Sequence, residues 1–183
     1  IILSSQKIDQ GSMQLIALAS SLSSGCKYCQ AHTSHGAHKA GVNEEKINDI
    51  LRYQESSHYD DSEKAVLDLA FAAGKTPNQA EQEHFDNLLK YFSKEQITDM
   101  VAVISLFGFL NRWNDTLGSH LEDVPNSFVE EKLKPPWLEI IYFSLLLGVR
   151  VTLSTDLVLI QSTKKIGLIN PFQKKFSNIN LIF

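Results

Sequence analysis

Apolar residues recur at helical rather than strand spacing through the first two thirds of the chain. Met13, Leu15, Ile16, Ala17, Leu18, Ala19 and Leu22 leave almost no polar face, which predicts a buried helix. Gly25 interrupts it. A second helix opens at Cys26 and runs to about Lys39, where Gly41 stands in position for a left-handed cap. A third has Asn43 as its cap, Glu44 and Glu45 at its positive end, and Ile47, Ile50 and Leu51 as its stripe. Polar residues 54–61 read as a loop. Ser62 starts a fourth helix with Ala65, Val66, Leu67, Leu69, Ala70 and Phe71 inside; Gly74 ends it and Pro77 blocks its continuation. Asn78 begins a fifth, with Glu81 at capping-box spacing and Phe85, Leu88, Leu89 and Phe92 as its inner face. Ser93 and Gln96 repeat that spacing ahead of a sixth helix, Lys94 to about Leu117, with Ile97, Met100, Val101, Ile104, Leu106 and Phe107 as core. About six helices with short connections and no convincing strand predict an all-α bundle.

The character changes near Pro125. Pro135-Pro136 punctuates, residues 140–149 are mostly apolar, and residues 151–160 are rich in β-branched side chains. Glu139, Arg150 and Asp156 break this region, so its apolar core falls short of the ~18 residues a membrane span needs. A helix followed by a strand, or an unstructured tail, fits it equally. The organisation read from the sequence is a helical domain over 1–130 and a C-terminal extension over 131–183 without an assigned fold or role.

Composition adds exclusions. At 183 residues, 43% hydrophobic, with a formal net charge of -4, the chain suits a globular domain and offers no basic face for nucleic acid or an anionic membrane. It begins Ile1-Ile2-Leu3 without an initiator Met, which suggests a missing or processed N-terminus. No basic stretch followed by a long apolar run marks a signal peptide, so the cytoplasm is the expected compartment.

The two cysteines form one C-x-x-C, Cys26 and Cys29. A loop that short stabilises little, so the pair is either chemical or incidental. At a helix start, unpaired N–H groups and the helix dipole favour a thiolate, and the next turn brings the second sulfur near. Lys27 adds positive charge, and His32 lies one turn on, where it can accept a thiol proton. A zinc reading competes, because Cys26, Cys29, His32, His35 and His38 recur every third residue. Each step of three slips back about 60° around a helix, so four such ligands cannot surround one ion from one straight helix. The bland reading is two buried, inert thiols. His35 and His38, rotated away from Cys29, are expected to meet solvent or a partner surface. His58, His84 and His120 are assigned nothing. Gln14, Asn111 and Asn114 are polar within apolar runs. Such groups face solvent or satisfy a helix end, and they line a site if the long helix packs beside the cysteine helix.

The segments Gln14–Ala19, Ser24–Thr33 and Lys39–Val42, together with Leu106–Asp115 around Trp113, resemble the AhpD-like alkylhydroperoxidases, a group within the carboxymuconolactone decarboxylase superfamily, and in particular its peroxidase-related branch. The likeness covers roughly residues 12–130. It implies an all-helical fold that assembles as homo-oligomers. It also implies a redox-active cysteine pair that reduces small hydroperoxides and is restored by a protein or lipoyl-type thiol, with no metal or organic cofactor. Two positions depart from the usual proton relay. Gln14 stands where that relay has a glutamate, and Thr33 where it has its histidine, with His32 one residue earlier. The departure predicts a weakened peroxidase or one with a different base.

The sequence therefore leads to a thiol peroxidase or disulfide oxidoreductase with Cys26, Cys29 and His32 as catalytic residues. In one order Cys29, helped by His32, attacks the peroxide and Cys26 resolves the product. The helix-start argument favours Cys26 as the attacker instead. The rival is a non-enzymatic helical oligomer whose C-x-x-C is a redox sensor or zinc clip.

Overall fold

The computed structural model describes residues 8–132, and the expectations for residues 133–183 lie outside them. Seven α-helices make up the described chain: α1 (Gln10–Ser24), α2 (Lys27–Lys39), α3 (Glu44–Asn48), α4 (Asp61–Ala73), α5 (Gln82–Leu88), α6 (Lys94–Leu117) and α7 (Asp123–Lys132). A 3-10 turn, Asp49–Arg52, continues α3. No strand occurs among the described residues.

The helix α1 is the hub, packed by α2, α4 and α6. This follows from its composition, since Met13 and every residue from Leu15 to Ser21 are buried. Its start is fixed by Asp9, which accepts from the Ser12 N–H at 2.8 Å. Around it Leu67, Leu69, Leu88, Met100 and Val103 are almost wholly enclosed, each at a gain of roughly 1.5–3 kcal/mol for its side chain. Gly74, at the end of α4, has an ordinary helical backbone. It is required for a different reason: a Cβ there would lie 3.0 Å from the Ser20 backbone, so glycine lets α4 and α1 close up.

Several expectations differ in detail from the structure. The fourth helix begins at Asp61 rather than Ser62, with Asp60 as its N-cap: Asp60 accepts from the Glu63 N–H while Glu63 reaches back to the Asp60 N–H, a complete capping box. The fifth is capped by Glu81, and Asn78 instead accepts from the Ala80 N–H. Leu51, Leu89 and Val101, expected inside, are exposed, and Val103 occupies the interior in place of Val101. For Leu51 the cause is the 3-10 turn, whose tighter winding rotates it off the stripe. The helix α7 is additional to the six predicted. It packs on α2, with the Phe128 ring 5.5 Å from His35 and 5.0 Å from His38.

Candidate active site

Gly25 ends α1 with φ of 80°, a left-handed turn that suits glycine, and the chain re-enters a helix at once. Cys26 is therefore the N-cap of α2, and its side chain takes the place a Ser or Asp oxygen usually fills: Cys26 Sγ accepts from the Cys29 N–H at 3.3 Å. One turn later Cys29 Sγ lies 2.9 Å from Cys26 Sγ. Both thiols are free and buried, Cys26 at 1% exposure and Cys29 at 3%.

The environment divides the pair. The Cys29 thiol donating to Cys26, and then the Cys29 N–H, outweigh burial and lower the Cys26 pKa to about 7. Cys29 is pushed upward, first by holding its proton toward Cys26, then by burial and the Cys26 charge. Asn114 of α6 counters this by donating Nδ2–H to Cys29 Sγ at 3.5 Å. The Asp115 carboxylate disfavours a thiolate at either sulfur. Near neutral pH the pair is accordingly poised to ionise at Cys26 while Cys29 keeps its proton.

His32 shares the helix but has a different partner. Its Nε2 lies 2.6 Å from Glu122 Oε2, and Tyr28 OH donates to Glu122 Oε1 at 3.0 Å. The His32 and Tyr28 rings are 4.4 Å apart. Glu122 thus ties the first turns of α2 to the connection between α6 and α7. Gln14 packs on Gly36, where a Cβ would meet its Oε1 at 2.5 Å. Thr33 returns its hydroxyl proton to the Cys29 carbonyl at 2.7 Å. Neither side chain adds a titratable group to the sulfurs. Among the described residues no three His, Cys, Asp or Glu side chains converge as metal ligands.

Asn114 joins the site because the long helix does pack on α2, the condition under which its polar positions acquire a role. Glu122 and Ser119 gave no sequence signal, since both lie past the last periodic residue of α6. Asn111, one turn before Asn114, is buried at 2% with neither side-chain amide atom paired.

Comparison with known proteins places this arrangement. The carboxymuconolactone decarboxylase family model matches residues 2–72, which hold α1, the cysteine segment and most of α4. The crystal structure of the debrominase Bmp8 is 37% identical with a TM-score of 0.67, over 71% of this chain and 70% of that one. The chain belongs to the carboxymuconolactone decarboxylase family. A second structure of that debrominase, a cysteine-to-alanine variant in complex with 2,3,4-tribromopyrrole, matches at 36% identity and the same TM-score. A protein of unknown function from Agrobacterium tumefaciens, suggested by its name to be an AhpD-type antioxidant-defence protein, is 27% identical with a TM-score of 0.58, over 61% of this chain and 77% of that one. An uncharacterised Bacillus subtilis protein, YdfG, is 28% identical over 114 residues, 61% of this chain and 77% of the relative. The all-helical AhpD-like fold expected from the sequence is therefore the fold of this family member. Among the described residues no helix is long and apolar enough to cross a membrane.

Proposed function

We propose that the protein is a dithiol reductase of small hydroperoxides, with Cys26 as nucleophile and Cys29 as proton donor and resolving thiol. The observation that carries this reading is the pair of sulfurs 2.9 Å apart at the start of α2, one poised as thiolate and the other as thiol. The Cys26 thiolate attacks the terminal peroxide oxygen; an S–O bond forms and the O–O bond breaks. The departing alkoxide takes the Cys29 proton and leaves as alcohol, so no separate acid is required. Cys29, now a thiolate, attacks the Cys26 sulfenic acid. The S–S bond forms, hydroxide leaves, and an external dithiol of protein or lipoyl type returns both cysteines to the reduced state. In this order His32 takes no proton; it anchors Glu122.

A second reading is reductive dehalogenation, favoured by the 36–37% identity to the debrominase. The same pair serves it: Cys26 takes the halogen, the carbon takes a proton, and Cys29 displaces bromide as the disulfide forms. Turnover with a lipoyl-type dithiol separates the two. The hydroperoxide reading predicts peroxide consumption that is abolished in Cys26→Ser and Cys29→Ser. Bromide release from brominated pyrroles with no peroxide consumption would replace it with the second reading.

A further inference from the structure

Asn114 reaches the cysteine pair from another helix, and its orientation is fixed from behind. The helix α6 ends at Leu117, and Gly118, with φ of 64°, turns the chain back over the last turn. Ser119 then returns to Asn114 twice: its N–H donates to the Asn114 main-chain carbonyl at 3.1 Å, and its Oγ–H to Asn114 Oδ1 at 2.7 Å. With Oδ1 occupied, the amide presents Nδ2–H to Cys29 Sγ at 3.5 Å. A flipped amide would aim an oxygen at the sulfur and oppose a thiolate there.

We propose that Asn114, oriented by Ser119, is the positioning residue for the resolving step: it supports the thiolate that Cys29 becomes and holds its sulfur on line with Cys26. This inference rests on the dithiol reading above. It assigns Asn114 to one half of the cycle. Before oxidation Cys29 keeps its proton toward Cys26, and the amide is a weak bond to a neutral sulfur. After the proton leaves with the alkoxide, the same N–H faces an anion, and hydrogen bonds to charged acceptors are roughly twice as strong as neutral ones. The Cys29 thiolate then displaces hydroxide from the Cys26 sulfenic acid, forming S–S and breaking S–O. The neighbouring Asp115 carboxylate opposes charge at both sulfurs, and the Asn114 N–H acts against it at Cys29.

Two measurements test it. In Cys26→Ser protein, the pH dependence of Cys29 alkylation reports its thiol directly. Adding Asn114→Ala is expected to raise the apparent pKa by about one unit, the size of one lost bond to a charged acceptor. Ser119→Ala should move it the same way by less, and Asn114→Asp should move it at least as far. In the protein with both cysteines, Asn114→Ala should lengthen the lifetime of the Cys26 sulfenic acid about tenfold, read by adding dimedone at increasing delays after peroxide, with its rate of formation nearly unchanged. A Cys29 pKa and sulfenic acid lifetime equal to wild type in Asn114→Ala, or in Ser119→Ala should the former not fold, would overturn the proposal. Wild-type protein that forms neither sulfenic acid nor disulfide with peroxide would instead sink the dithiol reading, while the alkylation profile still decides whether Asn114 acts on Cys29.

Discussion

Cys26 acts as a helix cap made of sulfur. A thiol is a poor acceptor and a thiolate a good one, so the Cys29 N–H and the Cys29 thiol both select the charged form. The lowered pKa of about 7 has a direct consequence. Alkylation of Cys26 should rise as pH increases through about 7 and level off above it, while Cys29 stays slow over the same range. The profile should persist in His32→Ala, because the imidazole bonds to Glu122 rather than to sulfur; loss of the neutral-pH step in that variant would restore His32 as the base. Asn111 makes the opposite kind of prediction. Its enclosed amide has no protein partner, and leaving such a group unpaired costs about 1–3 kcal/mol. Asn111→Leu is expected to hold or raise the thermal midpoint, checked by calorimetry.

At the scale of elements, the caps decide where helices begin, and they explain which boundaries the sequence could disclose. Ser93 with Gln96 announces α6 because serine and glutamine in that spacing bond reciprocally in the structure. Asp60 with Glu63 does the same for α4, but Ser62 beside it is an equally good cap by type, and only the formed bonds separate the two. Asp60→Ala should lower stability by about 1 kcal/mol in a denaturant titration. Its carboxyl is held below the ordinary range, first by the Ser62 hydroxyl and then by the Glu63 N–H. Its contribution is therefore complete above the unfolded value of about 4 and disappears as pH falls through the folded value, so wild type and variant should converge in acid. Periodicity located the inner faces of α1 and α4 and most of that of α6, where it took Val101 for Val103, and it failed at Leu51 and Leu89, which stand where the helix tightens or ends. A hydrophobic stripe holds only while the winding stays at its ordinary pitch.

For the whole molecule, the bundle brings together what the sequence keeps far apart. The C-x-x-C was legible because both sulfurs belong to one helix entrance. Asn114 was legible only as a polar residue in an apolar run, and Glu122 not at all, because their value depends on how α6 and α7 lie against α2. Glu122 joins Tyr28 and His32 to the α6–α7 connection, with Phe128 against His35 and His38 further along. Glu122→Ala should accelerate amide hydrogen exchange in α7 while leaving α1 protected, since the hub helix is held by α2, α4 and α6 instead.

Cys26 and Cys29 are expected to act as one two-electron unit. Free thiols counted after a single equivalent of hydroperoxide near neutral pH decide whether they do. Both thiols should disappear together, and peptide mapping should find them joined to each other. Two thiols still titrating after the peroxide has been added would show that the pair is inert toward it.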